Sequence, residues 1–310
     1  MMNANNFGGV IAVLVTPYRE NGEIDPEGMT SLCRRVAQAG CQGVFVAGST
    51  GDMPLLNREE RVALVEAARR GCSADMKIYA GVTDYSLGDM VENARRFADV
   101  GADVAVVMPP LMFFKYSEPE MTAYFRTVAD QSVLPVLMYN HMRLSTPVYP
   151  ETIRKLMSHP NILGMKETWQ TIDRTLAILE MTRDEDFLFI QGREAFALES
   201  LRHGAQGLMA ALGNVAPEYY VQLWHAFRAG DEVKIASVNE KLDQLCGVFD
   251  LMPMEESFSY FGYTLKKMMQ YRGWSDNANN RIPGFVPDPR FEEQLFRFLR
   301  EIDFPTCSFF

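Results

Sequence analysis

A chain of 310 residues, 47% hydrophobic and 23% charged, has the balance of a globular protein and room for one large α/β domain or a barrel-sized domain with an appendage. A formal net charge of -10 argues against nucleic acid as a partner, since phosphate backbones are met by basic surfaces, but leaves a local pocket free to take a small anion. No basic-then-apolar leader stands before Gly8, no apolar run approaches bilayer length, and five scattered cysteines (33, 41, 72, 246, 307) lack CxxC spacing, so a reduced, cytoplasmic protein with no membrane partner is expected.

Gly9–Val15 reads as a first buried strand, stopped by Thr16-Pro17. Asp25-Pro26-Glu27 opens a helix, with Asp as N-cap and Pro in the first turn, that closes at Ala39-Gly40. Gly43–Ala47 is a second strand, and Asn57 with Glu60 resembles a capping box for a helix ending near Arg70. Ile78–Gly81 and Ala102–Met108 are the third and fourth strands, and the helix between them closes on Val100-Gly101. Ser117 to Glu120 starts another helix by the same capping logic. Leu134–Tyr139, Asn161–Thr168, Phe187–Ile190 and Ala205–Ala210 complete eight strands. Their apolar runs are continuous rather than alternating, which fits strands buried on both faces.

Repeated βα units of this kind predict a (β/α)8 TIM barrel over residues 8–230. An open doubly wound sheet would give a similar rhythm, but eight units favour closure. After Pro217 only helices are expected: Tyr219–Ala229, Asp231–Cys246, Ser257–Tyr271 and Phe291–Ile302. Residues 231–310 are therefore read as a C-terminal helical extension, with Gly273–Asp288 a loop inside it.

The chemistry is sought at the carboxyl ends of the strands, where barrel enzymes place it. Lys166 ends strand six after the apolar Ile162, Leu163 and Met165. Burial there disfavours the ammonium, and a free amine attacks carbonyls to form Schiff bases. Tyr139 ends strand five, one strand spacing away, and imine formation needs a group that moves protons on and off oxygen. Gly48-Ser49-Thr50-Gly51 ends strand two, where hydroxyls and backbone N–H groups can cradle a carboxylate. Each signal alone has a plain alternative: a snorkelling lysine, a strand tyrosine bonded to backbone, an ordinary βα turn. Together they fall on one face of one barrel.

These motifs resemble the dihydrodipicolinate synthase and N-acetylneuraminate lyase family, the pyruvate-type class I aldolases. The matching segments are Gly48–Gly51, Tyr139-Asn140 and Gly164-Met165-Lys166, with Gly192, Gly204–Gly207 and Asn214–Pro217 in similar order and spacing across roughly residues 8 to 305. The resemblance implies no metal or organic cofactor, a small-molecule 2-oxo acid substrate and a homotetramer. It implies Lys166 as the Schiff-base lysine and Tyr139 as the proton-handling phenol. Gly48, Ser49, Thr50, Thr168, Gly192, Arg193 and Met209 are the substrate-side candidates.

The departures are informative. The synthase carries a tyrosine pair after strand four, one member of which crosses a subunit interface in a proton relay. Here the run is Pro109-Pro110-Leu111-Met112-Phe113-Phe114-Lys115-Tyr116, so the relay is missing unless Tyr116 substitutes, and the apolar stretch suits an interface. Arg143 lies four residues after Tyr139 where the synthase's carboxylate-binding arginine lies five after, and loop residue His141 is a candidate acid or base. Arg193 is placed to fork onto a second carboxylate or to sit in solvent. Asp84-Tyr85-Ser86 is a polar segment without an assigned role. The expected activity is a lyase that makes or breaks a C–C bond beside a 2-oxo acid. A 2-keto-3-deoxy sugar acid dehydratase, a synthase-like activity and a non-catalytic 2-oxo acid binder stay open. A metal-dependent aldolase finds no support in the spacing of the four histidines.

Overall fold

The computed structural model describes residues 4–306, so Cys307 lies outside the described residues. Among the described residues eight parallel strands close a barrel: β1 (Gly9–Val13), β2 (Gly43–Val46), β3 (Lys77–Gly81), β4 (Val104–Val107), β5 (Val136–His141), β6 (Ile162–Thr168), β7 (Leu188–Gln191) and β8 (Gly207–Ala210). Each pairs with the next in sequence, and β8 returns to β1. Strand residues alternate between two cores. Ile11, Val13, Phe45, Tyr79, Val106, Leu137, Leu188 and Met209 fill the barrel, while Val10, Ala12, Val44, Val46 and Ala105 face the helices. Burial on both sides explains the continuous apolar runs.

The helices between strands are α1 (Pro26–Gln38), α2 (Arg58–Gly71), α3 (Leu87–Asp99), α4 (Glu118–Gln131), α5 (Pro150–Leu156), α6 (Ile172–Met181), α7 (Ala197–Arg202) and α8 (Pro217–Ala229). The capping box at Asn57 is formed: Asn57 Oδ1 accepts from the Glu60 amide at 3.0 Å and Glu60 Oε2 from the Asn57 amide at 2.9 Å. Asp25 stands at the expected N-cap of α1, but its carboxylate makes no capping hydrogen bond.

β1 and β4 end earlier than their apolar letters suggest, because side chains take over from the ladder. Val15 N–H donates to Asn214 Oδ1 at 3.0 Å, and Met108 N–H to Thr83 Oγ1 at 2.8 Å. Asn214 also donates to the carbonyl of Val13 at 2.6 Å, tying the top of β1 to the segment after β8.

Four further helices follow: α9 (Glu232–Cys246), a single turn α10 (Val248–Leu251) that the apolar pattern gave no sign of, α11 (Ser259–Tyr271) and α12 (Pro289–Glu301). Neither they nor any other helix among the described residues is long and apolar enough to cross a membrane. α9 packs on α8 and on a short turn at Glu194–Phe196 after β7, and α11 packs on another at Ala211–Asn214 after β8. The extension therefore reaches the carboxyl end of the barrel.

Candidate active site

β5 and β6 run in register at their carboxyl ends, with Tyr139 opposite Lys166, Asn140 opposite Glu167 and His141 opposite Thr168. Strand alternation then sorts them. Tyr139, Lys166, His141 and Thr168 line a cavity of about 540 Å³ at the barrel mouth, while Asn140 and Glu167 turn toward the helices. Asn140 Nδ2 donates to Glu167 Oε1 at 2.8 Å, and Arg174 Nε on α6 donates to the same oxygen at 3.0 Å. Burial pushes the Glu167 carboxyl above its usual range, and Arg174 and Asn140 oppose that rise. This tie behind the mouth holds the two strands that carry the amine and the phenol.

Lys166 is 3% exposed. Its Nζ lies 4.2 Å from the centre of the Tyr139 ring and 5.2 Å from that of Phe45, and among the described residues no carboxylate pairs with it. The Tyr139 hydroxyl is within hydrogen-bond distance of Ser49 Oγ, 3.2 Å away. β2, β5 and β6 thus bring an amine, a phenol and a serine hydroxyl to one place, as the strand-end residues suggested.

The turn after β2 leaves backbone amides unused. The amides of Gly51, Asp52 and Met53 are used inside the turn, whereas those of Ser49 and Thr50 have no protein acceptor among the described residues. Ala47 (φ 52) and Asp52 (φ 58) flank it in the left-handed region, which costs a non-glycine residue about 1–3 kcal/mol and marks a backbone held by its surroundings. The holding contacts are Thr16 Oγ1 to the Gly51 carbonyl at 2.6 Å and Tyr18 hydroxyl to Asp52 Oδ2 at 3.1 Å. Lys266 on α11, a second buried lysine, lies 4.5 Å from the Tyr18 ring centre and is pushed down to about 8 by burial, against the pull of Asp52. It supports the turn from behind and does not line the cavity. Nothing in its helical sequence context set it apart from surface lysines.

The remaining candidates divide. Thr168, Gly192, Arg193 and Met209 line the cavity with Ser49 and Thr50; Gly48 stands behind the turn against the Phe45 ring. Thr168 Oγ1 is buried without a protein partner, so it offers a hydroxyl to a ligand. A Cβ on Gly192 would sit 2.6 Å from Lys166 Cε, so a glycine is required beside the lysine. Arg193 has no carboxylate partner among the described residues; its NH1 lies 3.8 Å from Met142 Sδ. Glu194, passed over in the sequence, also lines the cavity. Burial pushes its carboxyl above the usual range, against the amides of Glu194 and Ala211 and the charge of Lys166.

His141 is the last residue of β5 rather than a loop residue. Burial first, then Lys166, Arg143 and Arg193, pull it down to about 4, so it is neutral at pH 7. Its Nδ1 accepts from the Arg143 amide at 3.2 Å, which leaves the proton on Nε2 as a donor. Tyr116 packs against the outer core and does not line the cavity, so it does not stand in for the missing tyrosine pair within this chain. Asp84 is tied to Arg61 at 2.6 Å and to Asn93 at 3.2 Å, and Ser86 caps α3, so that segment is structural. Among the described residues no three histidine, cysteine or acidic side chains are grouped as a metal site needs.

The far wall of the cavity was not legible in the sequence. Asp243, Cys246, Phe249, Met252, Met254, Phe258 and Phe261, from α9 through α11, close it. Asp243, Cys246, Phe258 and Phe261 fall within the expected helices and Phe249, Met252 and Met254 between them, and only the folded chain carries them over the mouth.

Comparison with known proteins agrees with this geometry. The family model described as the dihydrodipicolinate synthetase family matches residues 6–298. A 4-hydroxy-tetrahydrodipicolinate synthase of Stenotrophomonas maltophilia is 33% identical over 247 residues, covering 78% of this chain and 82% of the relative. Among solved structures, YagE, a prophage protein of the dihydrodipicolinic acid synthase family from E. coli K12 in complex with pyruvate, superposes with a TM-score of 0.87 at 26% identity, covering 96% of this chain and 99% of that one. Dihydrodipicolinate synthase from Aquifex aeolicus gives a TM-score of 0.87 at 26% identity, covering 97% and 100%.

Proposed function

The chain belongs to the dihydrodipicolinate synthetase family, and from that premise we propose that it is a lyase of the class I aldolase type that makes or breaks a C–C bond beside the carbonyl of pyruvate or a related 2-oxo acid, through an imine on Lys166. The observation that carries the reading is the buried Lys166 amine 4.2 Å from the Tyr139 ring, with the Tyr139 hydroxyl 3.2 Å from Ser49.

On this reading the substrate carboxylate lies against the Ser49 and Thr50 amides and hydroxyls, which aims the ketone at Lys166 Nζ. The amine adds to the carbonyl carbon. Tyr139, hydrogen-bonded to Ser49, delivers the proton with which the carbinolamine oxygen leaves as water. The imine then draws electrons from the neighbouring carbon, so a proton is lost there and an enamine forms that can add to an aldehyde. Loss of a hydroxyl as water, as in a dehydratase, and synthase-like closure use the same imine. The barrel, 8–230, is the catalytic part, and the extension, 231–310, completes its cavity.

We further propose a homotetramer in the cytoplasm. Phe113 and Phe114, 80% and 56% exposed with ring centres 4.2 Å apart, are an apolar pair of the kind a second copy covers. The cysteines at 33, 41, 72 and 246 are unpaired thiols, which suits a reducing compartment.

Borohydride reduction in the presence of pyruvate, followed by peptide mass analysis, tests the imine. An adduct on Lys166, lost in Lys166→Ala with the fold retained by circular dichroism, is the expected result. No adduct, or an adduct on another lysine, removes the assignment.

A further inference from the structure

The cavity changes character with distance from Lys166. Its far wall carries Cys246, Phe249, Met252, Met254, Phe258 and Phe261, beside the exposed carboxylates of Asp243 and Asp250. The three phenylalanines form a row. Phe261 is stacked with Phe249 (centroids 6.1 Å apart, planes at 9°) and with Phe258 (5.6 Å, 12°). The Arg143 guanidinium lies over Phe258, 5.3 Å from its centre, and ends the row on the β5 side. Phe258 is 44% exposed, so this aromatic surface is open to the cavity. The volume, about 540 Å³, is that of a site for a drug-sized ligand and exceeds the needs of a three-carbon acid.

We propose that the carbonyl partner in the C–C bond step is an aromatic or similarly planar, apolar aldehyde, its ring against Phe249, Phe258 and Phe261 and its carbonyl carbon toward Lys166. The proposal rests on the pyruvate–imine reading and adds the class of the second substrate. In the cleavage direction the substrate is a 4-hydroxy-2-oxo acid with an aryl group on C4. The C3–C4 bond breaks and its electron pair enters the imine, giving the enamine. The 4-hydroxyl becomes the aldehyde carbonyl and gives its proton to the Tyr139 oxygen, left deprotonated by imine formation. Tyr139 returns a proton to the enamine carbon, and water hydrolyses the imine to pyruvate and free Lys166. No oxidant or reductant enters.

The wall also disfavours the alternative. A polyhydroxylated aldehyde laid along the phenylalanine row would surrender hydrogen bonds to water and face aromatic carbon, the polar side chains of that wall being Asp243 and Asp250.

The test compares kcat/KM for pyruvate addition to benzaldehyde and to glyceraldehyde on the full chain, with borohydride trapping of pyruvate alone in parallel. Benzaldehyde is expected to be favoured by about tenfold or more, and Phe258→Ala and Phe261→Leu, each checked for an unchanged melting profile, to cut that ratio by about tenfold. A preference for glyceraldehyde, no turnover of benzaldehyde, or a ratio unmoved in both variants overturns the proposal while a trapped adduct leaves the imine reading standing. Absence of any trapped adduct removes the imine reading and this proposal with it.

Discussion

Replacing Gly192 by alanine tests whether the position of Lys166 is set by packing. The added Cβ would lie 2.6 Å from Lys166 Cε, 2.2 Å from Thr168 Oγ1 and 3.0 Å from the Glu167 carbonyl oxygen. The backbone is not free to retreat, because Gly192 N–H donates to that same carbonyl at 2.7 Å. Ordinary carbon contacts need about 3.5–4.0 Å, so the lysine stem must move by roughly 1 Å. A displacement of that size at a reacting atom costs about 100-fold in rate. Overpacking adds a stability loss of about 1–3 kcal/mol, several degrees in Tm. Gly88→Ala is the control, since its Cβ would meet only Ser86 Oγ, at 3.6 Å, and it lies in α3 where alanine is favoured. The assay is the single-turnover rate of borohydride-trappable imine formation with pyruvate, alongside thermal melting. A Gly192→Ala protein that forms the imine within about threefold of wild type, at an unchanged Tm, refutes the packing argument.

Tyr139→Phe keeps the ring against Lys166 but removes the proton carrier, so turnover should fall by about 100-fold or more, with Ser49→Ala showing a smaller loss; steady-state kinetics at pH 7 decide. His141 is held near 4, below its unfolded value, so the unfolded chain binds the extra proton first. That contribution is complete above about pH 6.5 and is lost as the pH falls through 4, so melting curves of wild type should drop more steeply across this window than those of His141→Gln. Arg174→Ala leaves Glu167 buried without its cation, which predicts a loss of about 3–5 kcal/mol in urea unfolding, largely recovered by adding Glu167→Gln. The double change Phe113→Ser with Phe114→Ser should shift the mass by light scattering from tetramer toward smaller species, and an unchanged tetramer would clear these two residues of an assembly role.

What the sequence made legible was whatever depends on local period and strand ends. The continuous apolar runs gave the barrel, and the in-register partners Tyr139 and Lys166 met because each closes its strand. Boundaries slipped where apolar letters run on past the ladder; at Val15 and Met108 the side chains of Asn214 and Thr83 capture the amides. Ion ties such as Asn140–Glu167–Arg174 were invisible because they pair residues on different elements. Glu194 was given no role, and its place in the cavity wall follows from the fold, with α9 lying against that turn. The phenylalanine row fared worst, because Phe258 and Phe261 fall within an ordinary helical stretch and the single turn α10 that presents Phe249 carries no period at all.

The cavity is walled by two stretches of chain that are far apart in order. Activation sits on three strands of one closed sheet, whereas selection of the second reactant sits on a segment added after the barrel has closed. Such a layout lets the later segment drift, or be exchanged wholesale from a cousin, without disturbing the amine. Diversity of partners around one unchanging reaction is then a natural outcome of chain order, and swapping residues 246–261 is the shortest engineering route to a new one.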